Sequence, residues 1–211
     1  FFENIGLIVN RQCRTKNYQH VFVSKRLTEL HIMETANASP NHCPLYIYPE
    51  ISKQQNIDNS KNRIPNLSKE IVNNISAKLG VTFTEEKENK EDTFSPINIL
   101  DYIYSVLHSP KYREKYKEFL KEDFPRIPYP KDLKTFWKLV ALGGEIRQIH
   151  LLENAKVEDY ITSYPKDGNN IITRRLTKSS IGYEAINKLK GRVWINDEQY
   201  FENVPLVAWE F

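Results

Sequence analysis

The chain has 211 residues, a formal charge of +3 from 30 Lys and Arg against 27 Asp and Glu, and a composition that is 40% hydrophobic and 27% charged. These proportions are ordinary for a globular protein and exclude the disordered, collagenous and membrane-spanning classes. No apolar run reaches the length of a membrane span and no signal-type segment opens the chain, so no membrane partner is expected and a cytoplasmic setting fits.

Three short strands open the pattern: Ile5-Gly6-Leu7-Ile8-Val9, His20-Val21-Phe22-Val23-Ser24, and Leu45-Tyr46-Ile47-Tyr48 between Pro44 and Pro49. The connection from Asn10 to Gln19 is polar and basic, and Lys25-Arg26 directly follow the second strand. From Glu50 to Asn66 the sequence is rich in Asn, Gln, Lys and Ser without apolar periodicity, which predicts a long surface loop. Leu67, Ile71, Ile75 and Leu79 then predict a helix, with Asn66 or Ser68 to cap it and Gly80 to stop it. The run from Glu85 to Asp92 reads as a solvated acidic linker.

Ser95-Pro96 starts a second helix with one apolar face at Ile99, Leu100, Ile103, Val106 and Leu107. Ser109-Pro110 starts a third, with Tyr112, Tyr116, Phe119 and Leu120 on its face. Phe124-Pro125-Arg126-Ile127-Pro128-Tyr129-Pro130 predicts a stiff extended connector, because proline fixes its own φ and restricts its predecessor. A long helix from about Lys131 to Leu152 follows, in which Gly143-Gly144 mark close approach of a neighbouring backbone. Asp167-Gly168 is a turn signal. Ile171-Ile172-Thr173 and Ile181-Gly182-Tyr183 read as strand pieces, and Lys190-Gly191 lead into Arg192-Val193-Trp194-Ile195 as the return strand of a hairpin. The class is α+β, with a β-rich part over residues 1–65, a helical block over 66–155 and a second β-rich part over 156–211.

Recognisable catalytic signatures are missing. Seven glycines form no phosphate loop of the GxxxxGKS or GxGxxG kind, and there is no GxSxG, HExxH or paired-carboxylate nuclease pattern. Cys13 and Cys43 sit in no CxxC, which argues against a disulfide framework or a zinc site and for a reducing compartment. His108 and His150 are better read as packing or helix-end histidines than as general bases, and the neighbours His42-Cys43 do not make a nucleophile pair merely by adjacency. A metal site is therefore not expected, nor a cofactor held by this chain.

Charge clustering is more informative. From Thr173 to Arg192 there are six basic residues against one acidic, and the stretch through Arg63 has eight against five. A negatively charged partner held by the β-rich parts is one reading, a solvated surface the other. Arg, Lys, Gln and Asn in the first connection are the side chains that suit base-edge reading. Tyr102, Tyr104, Tyr112, Tyr116, Phe119, Phe136 and Trp137 fall in helices at apolar spacing, and most of them read as core rather than as stacking platforms.

One long ordered set of residues resembles a known family. It comprises Ile99-Leu100-Asp101-Tyr102-Ile103-Tyr104-Ser105-Val106-Leu107-His108-Ser109-Pro110-Lys111-Tyr112-Arg113, then Tyr116, Phe119-Leu120-Lys121 and Asp123-Phe124-Pro125-Arg126-Ile127-Pro128. Asn4-Ile5-Gly6-Leu7, Arg11-Gln12, His20-Val21-Phe22-Val23 and Pro44-Leu45-Tyr46-Ile47-Tyr48-Pro49 precede it. Leu142-Gly143, His150-Leu151-Leu152-Glu153, Gly191-Arg192-Val193-Trp194-Ile195-Asn196, Gln199-Tyr200-Phe201 and Val204-Pro205 follow. Together they resemble the C-terminal target recognition domain of Type ISP and related single-chain restriction-modification enzymes, the adenine-specific DNA methyltransferases.

The resemblance implies sequence-specific recognition of double-stranded DNA, with no enzyme activity in this piece. It also implies an N6-adenine methyltransferase domain in cis that uses S-adenosylmethionine through NPPY-type motifs, and Mg and ATP where nuclease and motor domains are present. Starting at Phe1-Phe2 without Met and stopping at Trp209-Glu210-Phe211, the chain reads as an excised piece. The expected DNA contacts are Arg11, Gln12, Arg14, Lys16, Asn17, Lys25 and Arg26, with Arg174, Arg175 and Lys178 second. The competing reading is an interaction module that docks the methyltransferase to other parts of the enzyme without reading bases.

Overall fold

The N-terminal β-branched runs pair as expected in a computed structural model, which describes residues 4–13, 18, 21–29, 32–33, 40–49, 63–88, 90, 92–175 and 182–210. Strand β1, Gly6–Asn10, is flanked by antiparallel β2, Val21–Ser24, and β3, Pro40–Pro44. The third strand is new relative to the sequence reading. Proline bounds it at both ends, and a position at the sheet edge tolerates residues that cannot donate to a ladder. The strand expected at 45–48 shrinks to β4, Tyr46–Ile47, which pairs with β5, Ile64–Pro65. The latter closes the segment expected to be loop, of which residues 50–62 lie outside the described residues.

Alternation gives the sheet two unlike faces. Val9, Val21 and Val23 belong to the main hydrophobic core with Leu7 packed against it, and the register sets Leu7 opposite Val23 and Val9 opposite Val21. Gly6, Ile8 and Asn10 take the other face.

Helix α1, Lys69–Leu79, has the expected ends: Ser68 Oγ accepts from the Ile71 N–H, and Gly80 at φ 69° stops the helix in the left-handed region. Its buried stripe is Val72, Ile75 and Leu79, whereas Ile71 is exposed. At 3.6 residues per turn a strict four-residue spacing winds around the helix, so the expected stripe could not stay on one side. Short parallel strands β6, Thr82–Phe83, and β7, Thr93–Phe94, bracket the acidic segment. That segment is tied down by Glu86, which accepts from Arg63 Nε and Nη2, both at 2.6 Å.

Helix α2, Pro96–Leu107, starts where Ser95-Pro96 predicts, with Asn98 Oδ1 accepting from the Ser95 N–H at 2.9 Å. Rather than one apolar face it buries eight of its nine residues from Ile99 to Leu107, Asp101 among them. It is the centre of the core. The expected third helix divides into α3, Pro110–Lys115, and α4, Phe119–Glu122. The proline-rich connector is extended, and tyrosine hydroxyls hold it: Tyr112 donates to the Arg126 carbonyl and Tyr102 to the Pro128 carbonyl, each at 2.9 Å. Helix α5, Leu133–His150, capped by Asp132, packs along α2. A Cβ on Gly143 would fall on the Asp101 carbonyl, so the glycine sets how closely the two helices approach. Across the same contact Arg147 forks onto Asp101, Nε to Oδ1 at 2.6 Å and Nη2 to Oδ2 at 3.1 Å.

The chain divides into two compact units, Phe1–Asn154 and Ala155–Phe211. The expected parts 1–65 and 66–155 fall, but for Ala155, within the first, where strands and helices share one core. In the second, a 3-10 turn at Ala155–Glu158 precedes an antiparallel meander of β8, Tyr183–Ala185, β9, Lys190–Trp194, and β10, Tyr200–Pro205, closed by a short helix α6, Leu206–Trp209.

Residues 171–173, expected as strand, are not one. The N–H groups of Thr173 and Arg174 both converge on the Ile195 carbonyl, which gives an anchor rather than a ladder. Gln199, 1% exposed, pins this unit, donating to Asn170 Oδ1 and accepting from the Asn170 N–H and Asn196 Nδ2, each at 2.9 Å. Gly168 of the predicted turn lies so close to Gln199 that a side chain there would collide with it. The fold is α+β, and no helix among the described residues is long and apolar enough to cross a membrane.

Candidate nucleic-acid interface

Strand register decides which of the expected contact residues come together. Arg11 and Gln12 follow the last residue of β1, whereas Lys25 and Arg26 follow the last residue of β2, and the pairing of Gly6 with Ser24 makes these opposite ends of the sheet. Lys25 is level with Ile5, six residues from Arg11, a separation of about 20 Å at the usual rise per residue. Two cationic ends therefore replace the single patch that sequence proximity suggests. Arg14, Lys16, Asn17 and Lys178 lie outside the described residues.

Arg11 is exposed and reaches Asp123, Nε to Oδ1 at 3.3 Å. The Asp123 carboxyl sits below its ordinary range because the Phe124 N–H, and then Arg11, donate to it. Lys25 bonds Glu153 just beyond α5, which ties the end of β2 to the helical part of the same unit. Arg26 forms no ion pair among the described residues; its N–H and carbonyl engage the Ser24 hydroxyl.

In the second unit, Arg174 lies over the Trp194 ring, 5.4 Å from its centroid, and 3.5 Å from Asp197 Oδ1. Arg175 is exposed. Arg192, part of the basic run, is neutralised by Glu202 at 2.9 Å. Asp197 and Glu202 fall beyond the window over which that run is counted, so folding returns acid to a segment that looks strongly basic in sequence.

Beside the Lys25 and Arg26 end, on the sheet face turned from the helices, lies a cleft of about 600 Å³. Its lining includes Gly6, Ser24, Lys25, Arg26, Leu27 and His42. Successive residues of β3 point to opposite faces, so His42 lines the cleft while Cys43 does not; the two form no pair. The His42 ring takes the space where a side chain on Gly6 would stand, and its Nδ1 is 3.4 Å from Thr28 Oγ1. Burial lowers its pKa from the ordinary imidazole value. Sequence reasoning did not find this role. The one available signal was Gly6 itself, since glycine inside a strand marks a neighbour that comes close.

His108 and His150 belong to a packed cluster. Their rings are 5.3 Å apart with Tyr104 against both, the Tyr104 hydroxyl meets His150 Nδ1, and Arg113 Nη2 is 3.2 Å from His108 Nδ1. Burial, with Arg113 and His150 adding to it, lowers the His108 pKa to about 4. No group of three or more His, Cys, Asp or Glu residues able to hold a metal ion occurs among the described residues.

The model of the Type ISP C-terminal specificity domain matches residues 2–211. Among solved structures, the chain is similar to an ATP-dependent Type ISP restriction-modification enzyme, LlaBIII, bound to DNA. The two are 18% identical with a TM-score of 0.67, over 99% of this chain and 12% of that one. It is also similar to a DrdV-DNA complex, at 20% identity and a TM-score of 0.63, over 99% of this chain and 18% of that one. The chain thus spans a small part of either of these longer chains. No curated protein matches it.

Proposed function

Since the chain belongs to the Type ISP C-terminal specificity domain family, we propose that it reads double-stranded DNA by sequence and directs a methyltransferase domain of the same polypeptide to its target adenine. The family match over residues 2–211 carries this reading. Both structural neighbours are complexes with DNA, which supports it. In this reading Lys25, Arg26, Arg174 and Arg175 neutralise phosphates and fix the register of the duplex. Arg11 and Gln12, with Arg14, Lys16 and Asn17 beside them in sequence, supply base-edge contacts, and Lys178, near Arg174 and Arg175, supplies a further backbone contact.

Three of these cations already have an acidic partner: Arg11 with Asp123, Lys25 with Glu153 and Arg174 with Asp197. Exposed pairs of this kind are worth little, so exchanging a carboxylate for a phosphate costs little.

Methyl transfer, and the S-adenosylmethionine it consumes, belong to the other domain, as do Mg and ATP if nuclease and motor domains accompany it. This chain has no glycine-rich loop and no NPPY-type motif, and no residue in it is assigned to those groups. Its part is to position the duplex so that the adenine can leave the stack.

Single-molecule sequencing for N6-methyladenine in cells expressing the full-length protein tests this. Wild type should mark one motif. Arg11→Ala/Gln12→Ala and Arg174→Ala/Arg175→Ala should relax or abolish that marking while the protein stays folded. Unchanged motif and extent in both would overturn the assignment of contacts and leave a docking role for the chain.

A further inference from the structure

The cleft beside the end of β2 has more built into it than backbone binding requires. Several of the polar groups around it are already engaged. Asn4 Oδ1 accepts from the Ile5 and Tyr46 N–H groups and its Nδ2 donates to the Tyr46 carbonyl at 2.8 Å. The Ser24 hydroxyl is held by the backbone of Arg26, and Lys25 by Glu153. What remains at the cleft is the Arg26 guanidinium, the Leu27 side chain, which is 92% exposed, and the face of the His42 ring, whose Nδ1 is near Thr28 Oγ1 and whose Nε2 edge lies over Gly6.

Two of these match parts of a nucleotide, and the third matches the gap that a nucleotide leaves in the stack. The imidazole offers a flat face to a base, a guanidinium without an ion partner among the described residues suits a phosphate, and an apolar side chain at the rim suits the space between stacked bases. The volume of about 600 Å³ is that of a small-molecule pocket, and a base still paired within a duplex would not enter it. Gly6 is needed because any side chain there would displace His42.

We propose that this cleft takes one nucleotide drawn out of the base stack, with Leu27 entering the gap, His42 meeting the base and Arg26 its phosphate. The inference rests on the DNA reading above and deepens it. The nucleotide is distinct from the target adenine, which the methyltransferase must receive. Extrusion at a second position lets the protein test how easily a neighbouring step unstacks, a sequence-dependent property read without a base pair being touched in place.

The test uses the full-length protein and duplexes carrying the motif found by methylation sequencing, with 2-aminopurine placed in turn at each position of both strands. Its fluorescence rises when it leaves the stack. Two rises are expected on binding, one at the target adenine and one at a second position. Leu27→Ala and His42→Ala should each remove the second and leave the first, and Leu27→Met and His42→Phe should restore it. Circular dichroism of each variant separates loss of the nucleotide from loss of fold. Tight, motif-specific binding with a single rise at the target, or a second rise that persists in both alanine variants, would overturn the pocket and leave DNA reading intact. Failure of wild type to prefer the motif duplex over a scrambled one would overturn both.

Discussion

At the scale of single residues, His108 makes the fold sensitive to acid. Protonation would put a positive charge beside the Arg113 guanidinium and the His150 ring in a largely buried setting. The folded pKa of about 4 lies below the ordinary 6.5. Between those values the unfolded chain binds a proton that the native one refuses, so stability falls as pH falls through that window and is unaffected by His108 above it. His150 and His42, lowered by burial, act in the same direction. Thermal midpoints at pH 7.5, 6.5 and 5.5 should decline in wild type. His108→Asn, which removes the titrating group, should decline less; equal slopes would refute the assignment. Tyr102 and Tyr112 are a second pair to examine, since each anchors the proline connector through one hydroxyl. Phenylalanine at either position should cost about 1 kcal/mol in chemical denaturation, the usual net worth of such a bond.

At the scale of elements, the packing of α2 on α5 governs the first unit. Gly143→Ala drives a methyl into the Asp101 carbonyl, a backbone atom that cannot rotate away, and should cost about 1–3 kcal/mol in urea denaturation. The buried ion pair across the same contact predicts a different pattern. Arg147→Met alone strands a carboxylate that burial already pushes above its ordinary pKa, and should cost about 3–5 kcal/mol, whereas adding Asp101→Leu should recover most of the loss. A double-mutant cycle measures the difference.

These elements also divide what sequence could disclose from what it could not. Ser68 with Gly80, Ser95-Pro96 and the proline run were legible because caps and fixed φ angles act over a few residues. The edge strand β3 was missed because proline argues against a strand until its position in a sheet is known. Asp101 looked like an ordinary polar residue on an apolar helix because its partner is 46 positions away. The cleft was illegible for the same reason: Gly6 and His42 meet only through strand register.

At the scale of the whole molecule, the proposed function is an electrostatic one with a reading step added. Binding of the full-length protein to its motif should weaken linearly with the logarithm of salt concentration. Arg26→Ala should reduce that slope by about one, as expected when one phosphate contact is lost. Loss of affinity at a single salt concentration without a change in slope would mean that Arg26 stabilises the protein rather than touching DNA. The two ends of the β1–β2 pair, about 20 Å apart, have a further consequence in the dimensions of the duplex. At about 3.4 Å per phosphate along one strand, that distance is roughly six nucleotides, more than half a helical turn. A sheet laid along the groove would therefore engage one end of a short site through Arg11 and Gln12 and the other through Lys25 and Arg26. The two ends would then do different work, base edges being read at one and the duplex held by its phosphates at the other, so new target sequences would arise by change at the Arg11 and Gln12 end while the opposite end keeps the register.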